Sequence, residues 1–97
     1  MSVLVLLEVQ VKPEAIADMK SYLAKILPET RAYDGCQGID VYTNTEDKGN
    51  FVAVEYWNTR TQHQKYSTWR AEKGDMDKIG TMTAGPPKIR YYERIDA

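Results

Sequence analysis

The sequence predicts an α+β fold with the element order β-α-β-β-α-β and a four-stranded antiparallel sheet. Three observations carry this prediction. Residues 3–11 alternate in strand fashion and are rich in Val and Leu. Two β-rich runs, Ile39-Asp40-Val41-Tyr42-Thr43 and Phe51-Val52-Ala53-Val54-Glu55-Tyr56-Trp57, flank a short turn containing Gly49, which is a hairpin signature. Two segments with 3.6-residue apolar spacing stand between the strands in the places a split β-α-β unit requires.

In the first strand, Val3, Val5, Leu7, Val9 and Val11 share one face, and Leu4, Leu6, Glu8 and Gln10 share the other. Pro13 opens the first helix, because a first-turn N–H has no helical partner to lose. Ile16, Met19, Tyr22, Leu23, Ile26 and Leu27 form its apolar stripe. Pro28 removes a donor and crowds the preceding turn, so a kink or short break is expected there, with residues 29–32 as a last turn before Asp34-Gly35. Thr59 and Thr61 are both cap candidates for a second helix over about residues 61–73, whose spacing puts His63, Tyr66 and Arg70 on one stripe and Trp69 beside Tyr66. Residues 75–82 suit a short extra helix, and Gly85-Pro86-Pro87 bends the chain into a last strand over residues 88–95.

This order is the ferredoxin-like arrangement. Right-handed crossovers place both helices on one face of the sheet. The first strand is apolar on both faces over residues 3–7, so one face is left without cover. A contiguous apolar patch of that kind marks a contact surface, and the expectation is a homodimer packed sheet to sheet.

Composition narrows the function. The 97 residues form a single domain over 1–97. A formal net charge of −1, with Lys and Arg scattered among Asp and Glu, argues against a nucleic-acid partner. One Cys and one His build neither a disulfide nor a Cys/His metal site, so no metal is expected. The apolar run at residues 3–7 is too short for a membrane span and lacks the basic start of a signal peptide. No membrane partner and a cytoplasmic location are expected. There is no Gly-rich phosphate loop and no G-x-S-x-G elbow, so seryl or cysteinyl triad chemistry has no motif to support it.

Seven Tyr against one Phe is an unusual balance, since a dry core favours Phe over a hydroxyl that needs a partner. Tyr22, Trp57, Tyr66 and Trp69 fall on elements that border the helix–sheet layer, and Tyr91 lies on the last strand. Pointing inward they line a pocket suited to a flat aromatic ligand; the plainer reading is core packing. Glu8, Glu55 and Glu93 interrupt strands, which is costly unless each carboxylate is paired, for instance with Arg90 or Arg94. Glu55 shares the face of Trp57 two residues on and is the first candidate to take a phenolic proton. Tyr66 is a second, through its hydroxyl. His63 titrates in a useful range, although flanking Gln62 and Gln64 predict a surface position. Arg70 either faces an anionic substrate or caps its helix. Cys36, at a helix-to-strand junction, reads as a small structural residue.

The segments Thr30-Arg31-Ala32-Tyr33-Asp34-Gly35-Cys36, Phe51-Val52-Ala53-Val54-Glu55-Tyr56-Trp57 and Gln62-His63-Gln64-Lys65-Tyr66 resemble the antibiotic biosynthesis monooxygenase superfamily. Its pattern is an acidic-Gly-Cys turn into the second strand, a V-x-E-x-W end to the third, and a His or aromatic residue about ten positions further on. The resemblance spans residues 3–92. It implies a dimeric α/β barrel and, in active relatives, oxygenation of quinols or polyketide phenols by O2 without flavin, haem or metal. Haem-degrading members pair a strand-1 Asn and a helical His with the Trp; here only Trp57 matches, since strand 1 has no Asn and His63 precedes the ligand position near Ser67 or Thr68.

Two functions are therefore expected as alternatives. One is a cofactor-independent monooxygenase acting on a small phenol, quinol or polyketide-type aromatic. In it Trp57, Tyr66, Trp69, Tyr22 and Tyr91 contact the substrate, Glu55 or a tyrosine hydroxyl handles the proton, and Arg70 and His63 are polar supports. The other is a non-catalytic dimeric module, for example in a stress response, that binds a hydrophobic metabolite.

Overall fold

The computed structural model describes residues 2–97. Its elements are β1 (Val3–Gln10), α1 (Ile16–Ala32), β2 (Cys36–Thr43), β3 (Asn50–Trp57), α2 (Arg60–Lys73), α3 (Asp75–Met82) and β4 (Lys88–Tyr92). The sheet order is β2-β3-β1-β4 with every neighbouring pair antiparallel, the ferredoxin-like arrangement.

A 3-10 turn at Pro13–Ala15 leads into α1. The expected break at Pro28 is absent, and α1 runs on to Ala32. Proline removes only the hydrogen bond to the carbonyl one turn back, on Ala24, and Pro28 and Ala24 are both exposed, so water can serve that carbonyl. Gly35, at φ +91°, turns the chain into β2, and a Cβ there would lie 2.5 Å from the Gln62 side chain. α2 begins one residue earlier than expected, at Arg60. Thr59 is its cap: its hydroxyl accepts from the Gln62 N–H and donates to Gln62 Oε1. Gly74 ends α2 at φ +88°. β4 is shorter than expected and stops at Tyr92.

Strand alternation sorts the sheet as predicted. Val3, Val5, Val9, Ile39, Phe51, Ala53 and Trp57 face the helices and are buried beneath Met19, Ile26 and Leu27 of α1 and Tyr66 of α2. The register sets one row across all four strands on this face: Ile39, Glu55, Val5 and Tyr91. On the opposite face Leu4, Leu6, Val52 and Val54 are half-covered, and Tyr42, Tyr56 and Tyr92 are exposed. Arg90 and Glu8 pair there at 3.8 Å. Among the described residues no helix is long and apolar enough to cross a membrane.

Candidate functional site

The site grows from the end of β3. Glu55 and Trp57 are two residues apart, so both point toward the helices. Trp57 is wholly buried and Glu55 is 2% exposed. The indole Nε1–H donates to Glu55 Oε1 at 3.0 Å. Among the described residues this is the only hydrogen bond to that carboxyl group, so Oε2 keeps its acceptor capacity. Burial raises the Glu55 pKa to about 7, while the Trp57 N–H opposes the rise by stabilising the carboxylate.

α2 contributes His63 from its first turn. Its polar neighbours predicted a surface position, but the imidazole is 1% exposed. The helical period that aligns it with Tyr66 and Arg70 outweighs the flanking glutamines. His63 Nε2 lies 3.7 Å from Glu55 Oε1, and Nδ1 lies 2.7 Å from the Tyr91 hydroxyl. Burial lowers its pKa to about 4, so the ring is neutral around pH 7. A neutral ring with Nδ1 accepting from Tyr91 presents its Nε2–H to Glu55. Tyr91 is half-buried under the Arg60 guanidinium, which sits 4.1 Å from the ring centre.

Aromatic rings enclose this group. Trp57 and Tyr66 lie 5.0 Å apart, Trp57 and His63 5.4 Å, and Tyr66 and Trp69 6.1 Å between centres. Tyr33, not singled out as a candidate, joins the cluster 5.4 Å from Tyr66 and 5.1 Å from Trp69. The signal was its place between the helix end and the Asp34-Gly35 turn. These rings pack together where an open pocket was a possibility of the sequence. A cleft of about 420 Å3 opens at the surface beside Tyr91, lined also by Val3, Asn58, Thr59 and Arg60 among others.

Two expected substrate contacts lie elsewhere. Tyr22 packs over the far end of the sheet with Val9, Val11, Met19 and Met82. Its hydroxyl donates to Asp75, and burial together with that carboxylate pushes its pKa up to about 12. Arg70 is wholly buried, and all five of its N–H donors are engaged. Nε serves Tyr66 Oη, Nη1 serves Glu29 and Asp75, and Nη2 serves the Ile26 carbonyl and Thr30 Oγ1. No donor remains for an anion; the residue ties α1, α2 and α3 together. The Tyr66 hydroxyl is also held, by Arg70 and by Thr30 at 2.7 Å, and burial raises its pKa. Trp69 is half-covered and stacks beneath Arg70 and Lys73. Cys36 is half-buried, and its thiol pKa is raised, chiefly by that burial.

Sheet order, helix placement and a buried carboxyl set among aromatic rings define a small ferredoxin-like α+β protein with its titratable groups under α2. The model of the antibiotic biosynthesis monooxygenase family matches residues 2–71, and the chain belongs to that family. Solved structures agree in fold. Rv0793 from Mycobacterium tuberculosis is 21% identical, with a TM-score of 0.85 over 100% of this chain and 98% of its own. A conserved protein from Methanosarcina mazei Go1 is 19% identical, with a TM-score of 0.89 over 98% of this chain and 94% of its own. A structure described as an antibiotic biosynthesis monooxygenase is 19% identical, with a TM-score of 0.87 over 97% of this chain and 99% of its own. No curated protein sequence matches.

Proposed function

We propose that this chain is a monooxygenase that oxidises a small phenolic, quinol or polyketide-type aromatic with O2 and draws on no dedicated cofactor. The observation that supports this most is Glu55: a carboxyl group buried under aromatic rings, fixed by Trp57, adjoining a neutral imidazole, and raised to about 7. A base is most effective when its pKa lies near the working pH. Proton loss makes such a substrate electron-rich enough to reduce O2 itself. At a reacting CH2, carbon bonds to oxygen and the hydroperoxide loses water, so CH2 and O2 become C=O and H2O.

The same reading takes the working unit as a homodimer. Leu4, Leu6, Val52, Val54 and Tyr56 form an outward sheet face that a second copy would cover. Oxygen uptake measured with hydroquinones and anthrones tests the enzyme reading. Uptake above autoxidation, lost in a folded Glu55→Gln variant, is expected. Tight binding of the panel without uptake would favour a non-catalytic metabolite-binding module.

A further inference from the structure

Glu55 and Tyr91 flank Val5 in one row of the sheet, on strands two apart. Adjacent strands are about 4.8 Å apart, which puts these two backbones roughly 10 Å apart, too far for direct contact. His63 bridges them from above, with one ring nitrogen 2.7 Å from Tyr91 Oη and the other 3.7 Å from Glu55 Oε1. Val5 beneath is fully buried, so the sheet closes the floor of this path. Of the three groups only Tyr91 reaches the surface, at the cleft shared with Asn58, Thr59 and Arg60.

We propose that Tyr91 is the residue that meets the substrate hydroxyl, and that His63 relays the proton from Tyr91 to Glu55. The inference rests on the reading of Glu55 as the base and adds the route by which a buried base is reached. The substrate O–H breaks as a bond forms to Tyr91 Oη. The Tyr91 O–H passes to Nδ1, and the Nε2–H passes to the carboxylate. One proton moves in total, and His63 ends as its other tautomer. The last transfer needs the imidazole to close on Glu55 by about 0.5–1 Å. Cys36 on β2, Tyr66 on α2 and Arg60 over the Tyr91 ring are the other titratable or charged groups around this path.

The test is Tyr91→Phe, which keeps the ring and the Arg60 stack, compared with His63→Gln and Glu55→Gln. The relay predicts at least a tenfold fall in kcat for hydroquinone oxidation in Tyr91→Phe, with KM little changed. It also predicts a solvent deuterium isotope effect that differs from that of the native chain. Full kcat in Tyr91→Phe, with loss in Glu55→Gln, overturns the relay and leaves the base assignment standing. A change in KM alone overturns it too. If the native chain oxidises none of the probes, the monooxygenase reading fails and the relay is judged by titration with hydroquinone. Coupled movement of the Tyr91 ring and His63 Nδ1 resonances supports it, and stationary resonances overturn it.

Discussion

Arg70 reaches Asp75 at 2.8 Å with its guanidinium entirely removed from water. Truncation leaves the buried Asp75 carboxylate with only the Tyr22 hydroxyl as donor, and takes the guanidinium donor from the buried hydroxyls of Thr30 and Tyr66. Arg70→Ala is therefore expected to cost about 3–5 kcal/mol. Urea unfolding measures this directly, and an unchanged midpoint would show that the network adds nothing to the fold.

The two buried titratable groups work against each other as pH changes. Glu55 is raised from 4.5 to about 7, so it favours the folded state at low pH and that contribution is lost as pH rises through 7. His63 is lowered from 6.5 to about 4, so its contribution is present above 6.5 and is lost as pH falls through 4. Between about 4.5 and 6.5 the folded pair and the unfolded pair each hold one proton, and the two slopes cancel. Glu55→Gln removes one side of that balance. Relative to the native chain, the variant gains about 3 kcal/mol as pH rises from 4.5 to above 7. Parallel unfolding curves at several pH values check this, and a constant difference would contradict it.

Trp57→Phe deletes the N–H that favours the Glu55 carboxylate. Losing one hydrogen bond to a charged group moves the Glu55 pKa up by about one unit. The 13C chemical shift of the labelled Glu55 carboxyl, followed against pH, reports this without reference to turnover. A downward shift would contradict the account.

Thr59→Ala removes the cap of the helix that carries His63. A loss of about 1 kcal/mol is expected in thermal or urea unfolding, and neutrality would mean that the Gln62 side chain substitutes for the hydroxyl.

Val54 points away from the helices, between Leu6 and Asp40. If a second copy covers this face, sedimentation at micromolar concentration gives twice the mass of one chain. Val54→Lys then reduces it to one without loss of secondary structure. A native chain that sediments singly removes the dimer from the proposal.

The parts of this molecule that the chain expresses locally were readable in advance. The alternation of Val3, Val5 and Val9 assigns the buried face of β1, and the shared face of Glu55 and Trp57 follows from their spacing alone. The His63, Tyr66 and Arg70 stripe is likewise a matter of helical period, and all three are buried. Long-range pairing was not readable. Arg70 draws its partners from residues 26, 29, 30, 66 and 75, and nothing near residue 70 announces that all five donors are engaged. Tyr22 belongs to the predicted stripe of α1, but that stripe is longer than the aromatic layer, so its far end packs over other residues. His63 was misjudged from its neighbours because burial depends on helix phase, not on local polarity. Helical continuity through Pro28 depended on which side of α1 faces water.

The row Glu55–Val5–Tyr91 belongs to the sheet, whereas the imidazole that spans it belongs to α2. Proton affinity at Glu55 therefore reports helix docking. When α2 lifts away, the carboxyl is rehydrated and its pKa falls toward that of an ordinary glutamate, while the freed His63 ring rises toward 6.5, so near pH 7 proton release from Glu55 exceeds uptake by His63. Opening of this helix has its own titration signature, measurable in a chain that has met no substrate.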